Sequence, residues 1–341
     1  MGLSTSFPYR IGYGTPGPKN LITDVPGVTV GHRTVRDGDR VNTGVTAVLP
    51  HGGNLFYDKV MASACVINGY GKTMGLVQVE ELGTIETPIV LTNTLSIGTA
   101  ATAVIKYMMD RNEDIGGNAG TVNPLVCECN DGSLNDIRGL HVKESHVFEA
   151  IEACADTFEE GAVGAGTGMC CLGFKGGIGS ASRTVTLDGE TFTIGSLVLA
   201  NFGSRGRLLI DGHPVGREIQ ARIEQDADKG SIIMLIATDL PLTERQLKRV
   251  ARRAAVGLSR TGSYIGHGSG DIAIAFTTAN RVPHHSDTAL LPLRMVSDGH
   301  LDPVFDMTAE AVEEAIISAL AHAETTVGKD GRVMKGLKEF L

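Results

Sequence analysis

The stretch GAVGAGTGMCCLGFKGGIGSASR (161–183) constrains the fold more than any other part of this 341-residue chain. Its glycines sit inside apolar runs, where the missing Cβ permits tight turns and close approach of backbone to backbone. The whole chain carries 44 glycines without the three-residue period of collagen, so the enrichment speaks for packed turns and not for a fibre. The run from Gly161 to Gly179 can also be read as a phosphate cradle, although backbone packed on backbone is the commoner use of such a run.

Beyond residue 183 the pattern turns antiparallel. Asp188-Gly189 and Asp211-Gly212 are the dipeptides that type I′ hairpins favour, and between them IGSLVLANFG reads as an apolar strand ending at Asn201. The charged REIQARIEQDADKG (217–230), turn-like toward its end, gives way abruptly to SIIMLIATD, so a buried strand is expected over 231–238. A helix should begin at Thr243, because Thr243 and Gln246 have capping-box spacing and Leu247, Val250, Ala251, Ala254 and Leu258 share one face. Further strands are predicted at 27–30, 44–49, 87–92, 124–129 and 271–277, and helices at 97–109, 144–158 and 309–323. Strands and helices alternate loosely, which gives an α/β or α+β class and one large domain, or two intimately packed halves, over 1–341.

Composition narrows the function. A net charge of −9, with Lys and Arg scattered singly, argues against a phosphate-neutralising nucleic-acid surface and favours small or cationic substrates. No window approaches the roughly 18 apolar residues of a membrane span, and the first residues lack the charged-then-apolar pattern of a secretory signal, so the cytoplasm is the expected location. The six cysteines form no CxxC pair and are expected as buried thiols. The histidines show no HExxH spacing, and His284-His285 is expected at the surface, so neither metal nor cofactor is expected. GYGTPG (12–17) has the GxGxxG spacing but no strand before it and no helix after it; GxxxxGK[ST] and GxSxG are lacking.

One constellation can carry chemistry. Ser231 opens a buried strand directly after a glycine, and Gly230 can adopt a strained conformation that brings its carbonyl carbon to the Ser231 hydroxyl. An N-to-O acyl shift and hydrolysis would free an α-amine that titrates at about 7.7–8.0 in model compounds and can act as base for its own hydroxyl. Gly-Ser recurs at 132–133, 179–180, 195–196, 203–204, 262–263 and 268–269, so the pair alone leaves a plain strand-start serine as the competing reading. Ser269 and Asp271, at the head of a strand, add a hydroxyl and a carboxylate suited to orienting a proton, and Asn201 adds an amide suited to an oxyanion.

Together, ITDVPGVTVGH (22–32), TGVTAVLP (43–50), ECNDGSLNDIRG (128–139), GTGMCCLGFKGGIGSASR (166–183), VLANFG (198–203), GSIIMLIATDLPL (230–242) and GSGDIAIAFTTAN (268–280) resemble the D-aminopeptidase/β-aminopeptidase family of self-cleaving serine aminopeptidases. The resemblance covers nearly the whole chain in the family's order. It implies an αββα sandwich, layered like N-terminal nucleophile hydrolases but differently connected, and a homo-oligomer, commonly a tetramer. It also implies a cut at Gly230–Ser231 into chains 1–230 and 231–341, with Ser231 as nucleophile for self-cleavage and catalysis. Ser269 and Asp271 match the family's Ser-Gly-acid element, Asn201 its oxyanion asparagine, and Glu128 the acid facing the substrate's free amine. Asn130 stands where many members carry a tyrosine, which puts substrate preference in question more than reaction class. The substrates implied are small peptides, aminoacyl amides or esters. An acyltransferase of the ornithine acetyltransferase kind is the same-fold rival, disfavoured by serine in place of threonine; a cleavage-dead binding or assembly relative is the other.

Overall fold

Alternation along SIIMLIAT decides how the molecule is layered. Ile232, Met234 and Ile236 pack into a core shared with helices, whereas Ile233, Leu235 and Ala237 face a second core between two sheets. That is the two-residue period of a strand buried on both faces. The structure, a computed structural model, describes residue 3, residues 7–220 and residues 229–341. The turn expected late in the charged segment, over 221–228, lies outside the described residues.

In chain order, β1 (Thr29–Asp37), β2 (Val41–Leu49) and β3 (Asp58–Gly69) precede helix α1 (Leu76–Leu82), β4 (Thr84–Ile85) and β5 (Ile89–Asn93). Next come α2 (Ile97–Met109), β6 (Leu125–Cys129), α3 (Glu144–Glu152) and two short strands of the glycine-rich run, β7 (Cys170–Cys171) and β8 (Phe174–Lys175). Then come β9 (Gly177–Leu187), β10 (Glu190–Asn201), α4 (Val215–Ile219), β11 (Lys229–Thr238), α5 (Glu244–Arg260), β12 (Gly268–Pro283) and α6 (Asp302–His322). A ribbon of β13 (Thr326–Val327) and β14 (Val333–Met334) closes the chain.

Strands β1-β2-β5-β6 form one sheet and β4-β3-β12-β11-β10-β9 another. Val30, Val48, Leu91 and Cys127 of the first meet Ala62, Leu199, Leu235 and Ile274 of the second. The outer face of the smaller sheet, with Val45 and Val90, is covered by Val104 of α2 and Val147 of α3. The outer face of the larger, with Val198 and Met234, is covered by Val250 of α5 and Ile316 of α6. The layers therefore run α, β, β, α, the α+β sandwich expected. The glycine-rich run packs backbone on backbone: a Cβ on Gly179 would stand 2.0 Å from the Ala315 carbonyl oxygen of α6.

Several local expectations need correction. Asp188 and Gly189, at φ of 49° and 83°, make the expected hairpin turn between β9 and β10. Asp211 and Gly212 also turn, at φ of 50° and 76°, but they close a single bridge between Ile210 and His213 and no strand pair. Pro214 already occupies the N-cap position of α4, so the chain turns into that helix instead of extending a strand pair. The helix expected over 144–158 stops at Glu152, and Ala155 exchanges backbone hydrogen bonds of 3.0 Å with Val30. The last helix starts at Asp302, not 309, with a proline in its first turn. Strand β3, between β4 and β12 in the larger sheet, falls in the strand-like region before residue 100 but outside the strands predicted there.

Candidate active site

Three strand ends meet at Ser231. Antiparallel pairing sets it opposite Asn201 of β10, and parallel pairing sets it opposite Gly270 of β12. The Ser231 hydroxyl donates to the Gly230 carbonyl oxygen at 2.6 Å, across the bond expected to break. Gly230 has a φ of +154°, and a Cβ there would stand 2.0 Å from the Asn201 carbonyl oxygen and 2.8 Å from Phe202 Cα. Only glycine fits that position without moving the neighbouring strand.

The same register sets Gly230 opposite Ser269 and Ile232 opposite Asp271. Both Ser269 and Asp271 are buried, and the Ser269 hydroxyl donates to Asp271 Oδ1 at 2.7 Å. Their turn is held by Asn68 of β3, whose amide donates to the carbonyl oxygens of Gly266 at 3.0 Å and His267 at 3.2 Å, and to that of Ser269. A bulge in the β3–β12 ladder lies beside Asn68, between the Asp271 and Ile272 pairs.

Glu128, near the end of β6, is buried. One carboxylate oxygen accepts the Lys72 backbone N–H at 2.8 Å, and the other accepts the Thr94 hydroxyl. Each oxygen keeps a lone pair for an incoming ammonium. Asn201 Oδ1 accepts the Cys170 N–H at 2.9 Å, and its Nδ2 donates to the Asn130 main-chain oxygen at 3.0 Å. Asn130 Oδ1 accepts the Gly132 N–H at 2.9 Å, so this side chain caps a turn at the cavity wall.

Ser231, Gly230, Asn201, Glu128 and Asn130 all line one cavity of about 830 Å³, with Tyr70, Thr94 and Cys170 on its walls. Ser269 and Asp271 lie behind that surface, in β12. Burial raises the pKa of Cys170, so its thiol is a poor thiolate source in the cavity that Ser231 also lines. Burial likewise pushes Cys127 up to about 12 and Cys129 well above the ordinary thiol range. Among the described residues no group of three or more His, Cys, Asp and Glu could hold a metal ion. Sequence reasoning missed Lys72, Thr94 and Asn68. Lys72 acts through its backbone, which no side-chain pattern reveals, whereas Asn93-Thr94 after the apolar IVLT was a readable signal.

The sequence pattern of peptidase family S58 matches residues 20–334. The chain belongs to peptidase family S58. This S58 chain is therefore a hydrolase, and the aminopeptidase activity expected of it is supported by its relatives. The β-peptidyl aminopeptidase BapA of Sphingosinicella microcystinivorans is 39% identical over 95% of this chain and 87% of its own. The PH0078 protein from Pyrococcus horikoshii OT3 superposes with a TM-score of 0.93 at 55% identity, covering 97% of this chain and 94% of that one. The L-aminopeptidase D-Ala-esterase/amidase from Ochrobactrum anthropi, described as a new variant among the Ntn hydrolase fold, has a TM-score of 0.89 at 41% identity, covering 96% and 93%. The αββα layering of the S58 chain agrees with that description. Among its described residues no helix is long and apolar enough to cross a membrane.

Proposed function

We propose that this protein cleaves itself at Gly230–Ser231 and then removes N-terminal residues from small peptides, aminoacyl amides or esters through an acyl-enzyme on Ser231. The observation that carries the reading is the Ser231 hydroxyl held 2.6 Å from the Gly230 carbonyl oxygen, at the edge of a cavity that also holds Glu128 and Asn201. In self-cleavage the hydroxyl oxygen attacks the Gly230 carbonyl carbon, and the C–N bond breaks as the hydroxyl proton passes to the departing Ser231 nitrogen. Water then hydrolyses the resulting ester to a Gly230 carboxylate and a free Ser231 hydroxyl. In the processed enzyme Glu128 pairs with the substrate ammonium, which restricts attack to the first carbonyl. Ser231 Oγ then attacks, its proton passing to its own α-amine or to the Ser269–Asp271 pair, and Asn201 Nδ2 stabilises the oxyanion. That proton leaves with the departing amine or alcohol, and water hydrolyses the acyl-enzyme. The two chains would stay joined, since β11 pairs with β10 along Ile194–Asn201 and Ser231–Thr238.

Denaturing mass spectrometry tests the reading. Two fragments meeting at 230/231 are expected from the wild type, one intact mass from Ser231→Ala, and release of amine from an aminoacyl anilide only by the former. An intact wild-type chain that releases no amine from aminoacyl amides and no alcohol from aminoacyl esters would overturn it.

A further inference from the structure

Lys175 of β8 is fully buried, yet no step of the proposed reaction uses it. Its ammonium donates to the carbonyl oxygens of Gly166 at 3.0 Å, Met169 at 2.7 Å and Gly176 at 2.7 Å. Three donors thus meet three acceptors. All three acceptors belong to the glycine-rich segment that flanks β7, and the Gly176 N–H donates to Met169 O at 3.0 Å. The segment is closed around the Lys175 amino group. Burial pushes the Lys175 pKa down to about 7, the expected penalty for taking an ammonium out of water.

The Met169 carbonyl and the Cys170 N–H are the two ends of one peptide unit. At its oxygen end that unit accepts from Lys175, and at its N–H end it donates to Asn201 Oδ1 at 2.9 Å. An N–H donor on the oxygen draws charge from the amide and strengthens its N–H as a donor, most strongly when Lys175 is protonated. A donor beside one end of the Asn201 side chain fixes its oxygen there, which turns Nδ2 toward Asn130 and the cavity.

We propose that Lys175 is a positioning residue: by holding the 169–170 peptide, it fixes the Asn201 amide in the orientation that presents Nδ2 to the oxyanion. This rests on the assignment of Asn201 as oxyanion donor. A double-mutant cycle on the full-length protein separates the two claims, with kcat expressed per mole of processed chain on an aminoacyl anilide. Asn201→Ala should lower kcat by about 10²–10³. Lys175→Met should lower kcat by roughly tenfold or more with KM within about twofold, and the double variant should match Asn201→Ala within about twofold, as expected for residues acting through one contact. Lys175→Gln, which keeps two N–H donors, should fall between wild type and Lys175→Met and carries the same cycle if the methionine variant does not fold. Unchanged kcat in a folded Lys175 variant, or losses that multiply in the double variant, would overturn the positioning role. Unchanged kcat in Asn201→Ala would instead overturn the oxyanion assignment itself.

Discussion

At the scale of single residues, Gly230 and Ser231 differ from the other Gly-Ser pairs through partners that lie far away in sequence. Gly195-Ser196 also sits in a buried strand, but Ser196 is paired mid-strand with Ile236 and lines no cavity around Ser231. The positive φ of Gly230 and the crowding of its missing Cβ by Asn201 come from strand pairing, so no local pattern could have singled out this pair. Gly230→Ala should push the scissile carbonyl off the Ser231 hydroxyl, since the new Cβ would stand 2.0 Å from Asn201 O. Self-cleavage should slow by at least about tenfold, given how steeply attack depends on sub-ångström placement. A time course of intact mass after synthesis checks this; processing at the wild-type rate would show that the backbone geometry at 230 does not matter.

At the scale of elements, legibility followed propensity and local capping. Helix α5 was readable because its start signal is chemical: Thr243 Oγ1 accepts the Gln246 N–H at 3.4 Å, and Gln246 Oε1 accepts the Thr243 N–H at 3.1 Å. Thr243→Ala removes one half of that box and should cost about 1 kcal/mol. For a chain of 341 residues, that is a fall in melting temperature of about 1–2 °C, measured by calorimetry at neutral pH. No change would mean that packing of Leu247 and Val250 alone holds the first turn. Strand β3 was not readable, because Ala62, Ser63, Ala64 and Cys65 have neither branching nor aromatic bulk. Its strand conformation is imposed by β12 on one side and β4 on the other. Asn68, which that strand delivers to the Ser269 turn, was lost to view with it. Asp211-Gly212 failed in the opposite sense: the turn chemistry was right, and the pairing was cut short by the next residue but one.

At the scale of the whole molecule, residue patterns left α/β and α+β open, and only the ordered resemblance implied four layers; what joins two of those layers is a buried acid that neither route revealed. Glu160 lies between the glycine-rich run and α6, accepting the Ser180 N–H at 2.7 Å and the Ser318 hydroxyl at 2.6 Å. Burial pushes its pKa up to about 7, against the pull of the Ser318 and Ser180 hydrogen bonds. An acid raised in the folded state holds a proton that the unfolded chain has already lost. Stability must then fall as pH rises from about 4.5, the ordinary glutamate value, to about 7, and stay level above. At about 1.4 kcal/mol per unit, the full penalty is of the order of 3 kcal/mol. Asp131, pushed up to about 6 by burial, works in the same direction, whereas burial lowers His32 to about 4, so its contribution rises with pH between about 4 and 6.5. Asp131 and His32 are common to wild type and Glu160→Gln and cancel in the difference between them. His322, whose Nδ1 stands 3.8 Å from Glu160 Oε2 and whose pKa burial lowers, loses that neighbour in the variant, so the difference reads Glu160 together with His322. The glutamine keeps an acceptor for Ser180 and Ser318 but never ionises. Urea midpoints taken across this range should show the variant gaining on the wild type up to about pH 7, and parallel curves would mean that Glu160 is already ionised in the folded protein at low pH.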